Sequence, residues 1–439
     1  MASSPADLAT DRRQQFIPIR RSDLIRLLAE KLPPLGSDRQ HFAQLCRMLE
    51  ATFHFEYHAR LERLKDAYAS FDPDADTHCE TTLTDSERDE QAARLFGRLA
   101  SLLERANYKR IGHDNICEAM ATATSWGVNL DVDLEAFDLL EVYARGEAVE
   151  RRSCRLMQQL YRQQEVDVPI FQRLVVAFRP KYEEGETDGP AATRIYFKMF
   201  KSIPKMDLEM LLPGTRVKMT LVDRGRIVLP ALSGVSIAIY KVLTGALALA
   251  VAGATGLLTF LGLIGGTVGY GVKSLLNYQR AKDKYQLNLA RNLYYQNLDN
   301  NAGVLYRLLD EAEEQEFREA ILAYFLLWQT APPRSMSPDE LDTAAESLLR
   351  EFLGIDIDFE VDDALDKLQR LRLVDTFPKG EIKAVPIADA LCRLDVAWDR
   401  IFQPTGSKPT GVASVIRQDE AEDELPKAHR PWSSSPWPG

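Results

Sequence analysis

Between Ile227 and Val272 the chain carries a single charged side chain, Lys241. One membrane-spanning helix needs roughly 20 apolar residues, and this run is about twice that length. It therefore reads as two helices paired as a transmembrane hairpin over residues 226–272. The flanks agree. Upstream, Lys201, Lys205, Arg216, Lys218, Arg224 and Arg226 outnumber the acids, and downstream Lys273, Arg280, Lys282, Lys284 and Arg291 do the same. Basic flanks stay on the cytoplasmic side, so two basic flanks call for an even number of spans. A turn at Gly253–Gly256 places Lys241 at mid-membrane, where a lysine is costly. A turn near Lys241–Gly245 lets it reach the far interface by snorkelling. The second is the favoured placement, with Lys241 facing the bundle interior as a buried functional site the alternative. Gly262, Gly265, Gly266 and Gly269 form overlapping GxxxG spacings. They suit a tight seam within one hairpin, with homo-oligomerisation through the Gly-rich helix as the sharper alternative.

The 439 residues carry a net charge of −11. That balance opposes general nucleic-acid binding, which needs a basic footprint. The mean hydropathy of −0.24 makes the apolar run a minority between sizeable water-facing domains. The expected division is a disordered terminus (1–15), a cytoplasmic α+β domain (16–225), the hairpin (226–272), a helical, winged-helix-like domain (273–402) and a disordered tail (403–439). The N-terminus lacks an apolar secretory segment. The fold class expected is thus an α+β membrane protein. Its location would be the bacterial inner (plasma) membrane, multi-pass with both termini cytoplasmic, or else an organelle inner membrane.

Local patterns place helices from Ser22, over 37–70 (closed by Phe71-Asp-Pro-Asp74) and over 84–107. Strands are expected at Ile170–Phe178 and Ile195–Phe200, forming a small antiparallel sheet. Asn297–Gly303 interrupts the helical region 273–329. A helix over 318–329, a helix capped by Ser337, a third helix Val361–Leu373, strands Val374–Phe377 and Ile382–Val385, and a last helix Ile387–Ile401 make a winged-helix-like order. The third helix opens on Asp356, Asp358, Glu360, Asp362, Asp363 and Asp366, which repels phosphate and favours protein contact.

Chemical constellations are sparse. His54, His58 and Glu62 share one helical face at a spacing that suits a metal, but without the His-Glu-x-x-His pattern they read as ordinary surface residues. The acidic run Asp310-Glu-Ala-Glu-Glu-Gln-Glu316 reads as a solvated helix face over Leu305, Leu308, Leu309 and Phe317. Asp310, Glu313, Glu314 and Glu316 as a divalent-cation site is the weaker reading, because helical carboxylates diverge. Cys46, Cys79, Cys117, Cys154 and Cys392 show no metal or redox spacing. There is no P-loop, nucleophile elbow or kinase motif. No catalytic, cofactor-binding or metal residue is assigned, and no cofactor.

Four stretches, Phe16–Leu24, Phe71–Asp74, Lys198–Pro213 and Tyr294–Phe325, resemble the transmembrane-protein-143-like family, which is defined by a domain of unknown function. The resemblance covers about residues 16–402. It implies a membrane protein with a paired-helix anchor and brings no activity or catalytic residues. The functional expectation is a membrane-anchored scaffold or regulatory protein of unknown biochemical activity, working through protein contacts of its cytoplasmic domains. Its partners would be the lipid bilayer and proteins yet unnamed. A membrane-surface enzyme acting on a lipid or membrane-bound substrate is the alternative, and an oligomeric pore the third. Ala substitutions at His54, Asp207, Glu209 and Glu313 would test the enzyme reading.

Overall fold

The computed structural model describes residues 13–32, 37–76, 83–112, 129–131, 136–155, 163–181, 194–205, 208, 211, 216–218, 294–329, 335–378 and 380–399. Within these the chain is a mixed helix and sheet fold. Its helices are α1 (Arg21–Glu30), α2 (Ser37–Tyr68), α3 (Asp85–Arg105), α4 (Ala302–Gln329), α5 (Pro338–Leu353), α6 (Val361–Arg370) and α7 (Ile387–Asp399). Its strands are β1 (Lys109–Arg110), β2 (Asn129–Asp131), β3 (Phe137–Arg155), β4 (Gln163–Pro180), β5 (Tyr196–Pro204), β6 (Arg216–Lys218), β7 (Asn297–Asn300), β8 (Val374–Thr376) and β9 (Ile382–Ala384).

The chain divides into two compact units. The larger comprises residues 1–112, 135–204 and 298–439, so chain from both sides of the apolar run builds one body. Its five-stranded sheet has the order β1-β3-β4-β5-β7. β3 and β4 form an antiparallel hairpin registered from Phe137 against Pro180 to Arg155 against Gln163, while β5 covers β4 only from Ile170 to Phe178. The hairpin therefore runs on as a two-stranded ribbon past the rest of the sheet. The smaller unit, residues 113–134 and 205–297, contains the antiparallel pair β2 and β6.

Two cores hold the larger unit. One joins Tyr57, Tyr68 and Phe71 to Leu95, Leu99 and Leu103 of α3, to Val175, Phe197 and Met199 of the sheet, and to Leu305 and Leu308 of α4. The other joins Leu24, Leu28, Phe42, Leu49 and Phe53 to Phe317, Ile321, Tyr324 and Phe325 of α4 and to the C-terminal helices and hairpin β8–β9. α4 runs through both. Phe42, Phe325 and Trp328 pack ring on ring in the second core.

Local chemistry sets the helix starts. Thr84 and Ser337 close reciprocal capping boxes with Glu87 and Glu340, each satisfying orphan backbone donors at both ends of the box. Gly354 ends α5 in the left-handed conformation that glycine adopts without steric cost. Asn301, at φ 48, turns the chain from β7 into α4. Its amide donates to Asp74 at 2.6 Å while its backbone N–H donates to the Phe197 carbonyl at 2.7 Å, which gives the Phe-Asp-Pro-Asp turn a structural task.

No helix among the described residues is long and apolar enough to cross a membrane. The two longest, α2 with 32 residues and α4 with 28, are interrupted by charged side chains along their length, whereas a span needs an unbroken apolar stretch. Residues 226–272, where the hairpin was expected, lie outside the described residues, as do Lys241 and the GxxxG glycines. The α+β membrane fold class gives way to a mixed helix and sheet fold with a five-stranded antiparallel sheet, and the multi-pass inner-membrane location is not retained. Smaller differences concern the sheet. β3 and β7 are strands where none was expected, and β4 begins at Gln163 rather than Ile170.

Candidate functional site: a buried charged belt on α4

α4 is packed by α1, α2, α3, α5 and α6 and by strands β5 and β9, so little of its surface meets water. Its apolar positions Leu305, Leu308, Leu309 and Phe317 are buried as the periodicity predicts. The acidic run above them is only partly solvated: Asp310 is exposed and Glu311 and Glu314 are half-buried. Glu313, Gln315, Glu316, Arg318 and Glu319 are all buried, which corrects the solvated-face reading. A charge taken out of water is tolerable only when paired and hydrogen-bonded. The pairing cations come from elements remote in sequence, and composition cannot announce that.

Around the belt the pairs run as follows. At its N-terminal end Glu311 accepts from the Tyr108 hydroxyl at 2.7 Å and pairs with Arg145 at 3.0 Å. Glu314 takes Arg318 at 2.5 Å and Arg21 at 3.3 Å. Glu313 meets His54 Nδ1 at 3.2 Å and Arg21 at 3.7 Å. Glu316, fully buried, accepts from Arg105 at 2.9 Å. Glu319, 1% exposed, accepts from Lys367 Nζ at 2.5 Å, and the same ammonium donates to Asp363 at 2.6 Å. Next to these, Arg370 of α6 holds the buried Glu56 of α2 at 2.8 Å.

Electrostatics sorts these carboxyls. Burial pushes Glu316 up, but Lys367, Arg105, Arg60 and Arg370 outweigh it and hold the group well below the usual carboxylate range. Burial also pushes Glu319 up. Lys367 opposes that, Asp363 adds to it, and the net is a carboxyl raised to about 7. For Lys367, burial opposes the charge, yet Glu319, Glu316 and Asp363 raise its pKa above the ordinary lysine value. Burial raises Glu313 as well, against His54. Cys46, a buried thiol on α2, is pushed up to about 12 by burial, so it stays protonated and unreactive.

The residues singled out in the sequence do not converge. Asp310 faces out, Glu313 and Glu314 share Arg21 and turn further to His54 and Arg318, and Glu316 turns to Arg105. The four carboxylates that the weaker divalent-cation reading grouped thus turn mainly to side-chain cations of the chain. His54 reaches Glu313, and Glu62 pairs with Lys65 at 3.0 Å rather than with the histidines. Asp207 and Glu209 lie outside the described residues. Glu319 instead comes together with Glu360 and Asp363 of the acidic opening of α6, with oxygens within 4.8 Å of one another. The Lys367 ammonium already bonds two of them, so the positive charge this cluster needs is the chain's own. The i,i+4 spacing of Asp363 and Lys367 was visible in the sequence, but nothing in it linked them to Glu319.

A family model described as a protein of unknown function (DUF3754) matches residues 171–303. That span is under a third of the chain and covers much of β4, then β5 and β7, and reaches the first residues of α4. The match does not name the transmembrane-protein-143-like family. No solved structure matches the chain.

Proposed function

We propose that this chain acts through protein contacts, as a scaffold or regulatory protein. The observation that carries the reading is the inward engagement of the α4 belt. Glu311, Glu313, Glu314, Glu316 and Glu319 each face a cationic side chain of the same chain. A general acid or base must reach a substrate proton, and groups committed to internal pairs join helices instead. The matched domain of unknown function is consistent with this and assigns no activity. The resemblance to the transmembrane-protein-143-like family brings no chemistry to the reading.

The C-terminal hairpin and helix offer groups for such contacts. Phe377 beside β8 is 45% exposed and Trp398 on α7 is 40% exposed, its ring against Phe55 of α2. Aromatic side chains of this kind are enriched at protein interfaces. α6 opens on Asp362 and Asp363, which disfavours a phosphate backbone as partner.

Affinity purification of the tagged full chain, with mass spectrometry of what co-purifies, tests the proposal. A stoichiometric protein, lost when Phe377 and Trp398 are changed to Ser, is the expected result. Recovery of the chain without any protein at stoichiometry contradicts it.

A further inference from the structure

Glu319 sits at the end of a hydrogen-bond chain that reaches the N-terminal segment 13–19. Lys367 Nζ donates to its Oε2 at 2.5 Å, and Gln315 Nε2 donates to its Oε1 at 2.6 Å. Both carboxylate oxygens are thus committed as acceptors. Gln315 is fully buried and likewise fully used. Its Oε1 accepts from the Ile17 backbone N–H at 3.2 Å and its Nε2 also donates to the Gln15 carbonyl at 3.4 Å. The segment itself lies across the C-terminal helices as a strap. Gln14 bridges Ile357 in parallel register, Asp358 N–H donates to the Gln14 carbonyl at 2.9 Å, and Arg13 pairs with Glu346 of α5 at 2.6 Å. The guanidiniums of Arg145 and Arg318 both lie over the Phe16 ring, 4.0 and 5.6 Å from its centre.

The charge around Glu319 is unbalanced. Glu319, Asp363 and Glu360 cluster around one ammonium. Asp363 is 45% exposed and Glu360 is half-buried, whereas Glu319 is 1% exposed and loses the most solvation, although burial and Asp363 raise the Glu360 carboxyl as well. A proton entering this cluster from solvent therefore goes to Glu319. A protonated carboxyl turns one acceptor oxygen into a donor. At Oε2 the new O–H would face the Lys367 ammonium, which Asp363 and Glu316 hold in place. At Oε1 it would face the Gln315 amide, which can turn over to accept it. The turned amide then points N–H groups at the Ile17 N–H and withdraws from the Gln15 carbonyl.

We propose that Glu319 is a proton-operated latch for the N-terminal strap: ionised, it holds Gln315 in the orientation that docks Gln15 and Ile17, and protonated, it releases them. The neighbours bear on this from every packed element. α6 brings Lys367 and Asp363, and Glu360 precedes it. α4 brings Glu316, which Arg105 of α3 pairs. α2 brings Glu56, held by Arg370, and Arg60, which acts on Glu316. Arg21 of α1 is engaged with Glu313 and Glu314, and Glu346 of α5 with Arg13.

Hydrogen exchange of the full chain tests the latch, read as the protection of residues 13–19 after correction for the intrinsic pH dependence of exchange. Protection at pH 8 should fall at least tenfold by pH 5.5. Glu319→Gln should abolish that pH dependence. Asp363→Asn, at a half-exposed position, should leave the fold intact and move the midpoint to lower pH, because it removes a negative neighbour. Equal protection at both pH values overturns the latch, as does a pH response kept by Glu319→Gln or an unmoved midpoint in Asp363→Asn.

Discussion

Lys367 on α6 donates to Glu319 on α4 at 2.5 Å, with both side chains removed from water. The pair is the inner end of a charged belt that binds helices from both ends of the sequence to one central helix. Replacing Lys367 with Met leaves Glu319 and Asp363 without their shared cation. Removing one partner of a buried pair costs about 3–5 kcal/mol. Urea unfolding of Lys367→Met should show a loss in that range with the m value unchanged.

Arg145 joins more groups than any pairwise view suggests. It pairs with Glu311, donates to the Ala106 carbonyl at 3.2 Å, and stacks on Phe16 and Tyr108. Arg145→Lys keeps the charge but loses the planar fork and the stacking. It should cost about 1–3 kcal/mol, the scale of an unsatisfied buried polar group, by thermal or chemical unfolding.

Acid sensitivity follows from Glu316. Its folded pKa lies below the unfolded value of 4.5, so the stability it contributes is present above about pH 4.5 and lost as pH falls toward the folded value. Glu316→Gln should be less stable than the natural chain at pH 7, and the gap should shrink steadily below pH 4.5. Unfolding curves at pH 7, 4.5 and 3 check the direction.

The turn into α4 is also testable. Asn301→Ala places a side chain that disfavours φ 48 at that position and removes the bonds to Asp74 and to the Phe197 N–H at 3.3 Å. A residue held in a disfavoured backbone region costs about 1–3 kcal/mol. Asn301→Gly keeps the backbone at ease and should lose less, so the difference between the two variants isolates the conformational part.

Much of the helical layout was legible because its signals are local. Thr84 with Glu87 and Ser337 with Glu340 announce helix starts, and the Asp-rich opening of α6 with Lys367 and Arg370 at its end fits the helix dipole. The hairpin strands β8 and β9 lie within the expected segments. β3 was missed because its outer half, Glu147–Arg155, has no apolar alternation and is held by β4 alone. β7 was missed because Asn297–Asn300 has the composition of a loop and is a strand only through its place at the sheet edge. The belt was misread for a similar reason. An acidic run on a helix looks solvated until Arg21, Arg105, Arg145 and Lys367 are known to face it, and no spacing in the chain reveals contacts between residues 48 to 293 positions apart.

A double-mutant cycle on Lys367→Met and Glu319→Gln, measured by urea unfolding of the full chain at pH 8, tests the account most directly. If the belt joins the helices through this pair, each single variant is strongly destabilised. The double variant then recovers part of the loss, with a coupling of about 1–3 kcal/mol, the range for residues in one network. Additive losses, with coupling near zero, would show that the two side chains stabilise the fold independently and would contradict the belt as a joint.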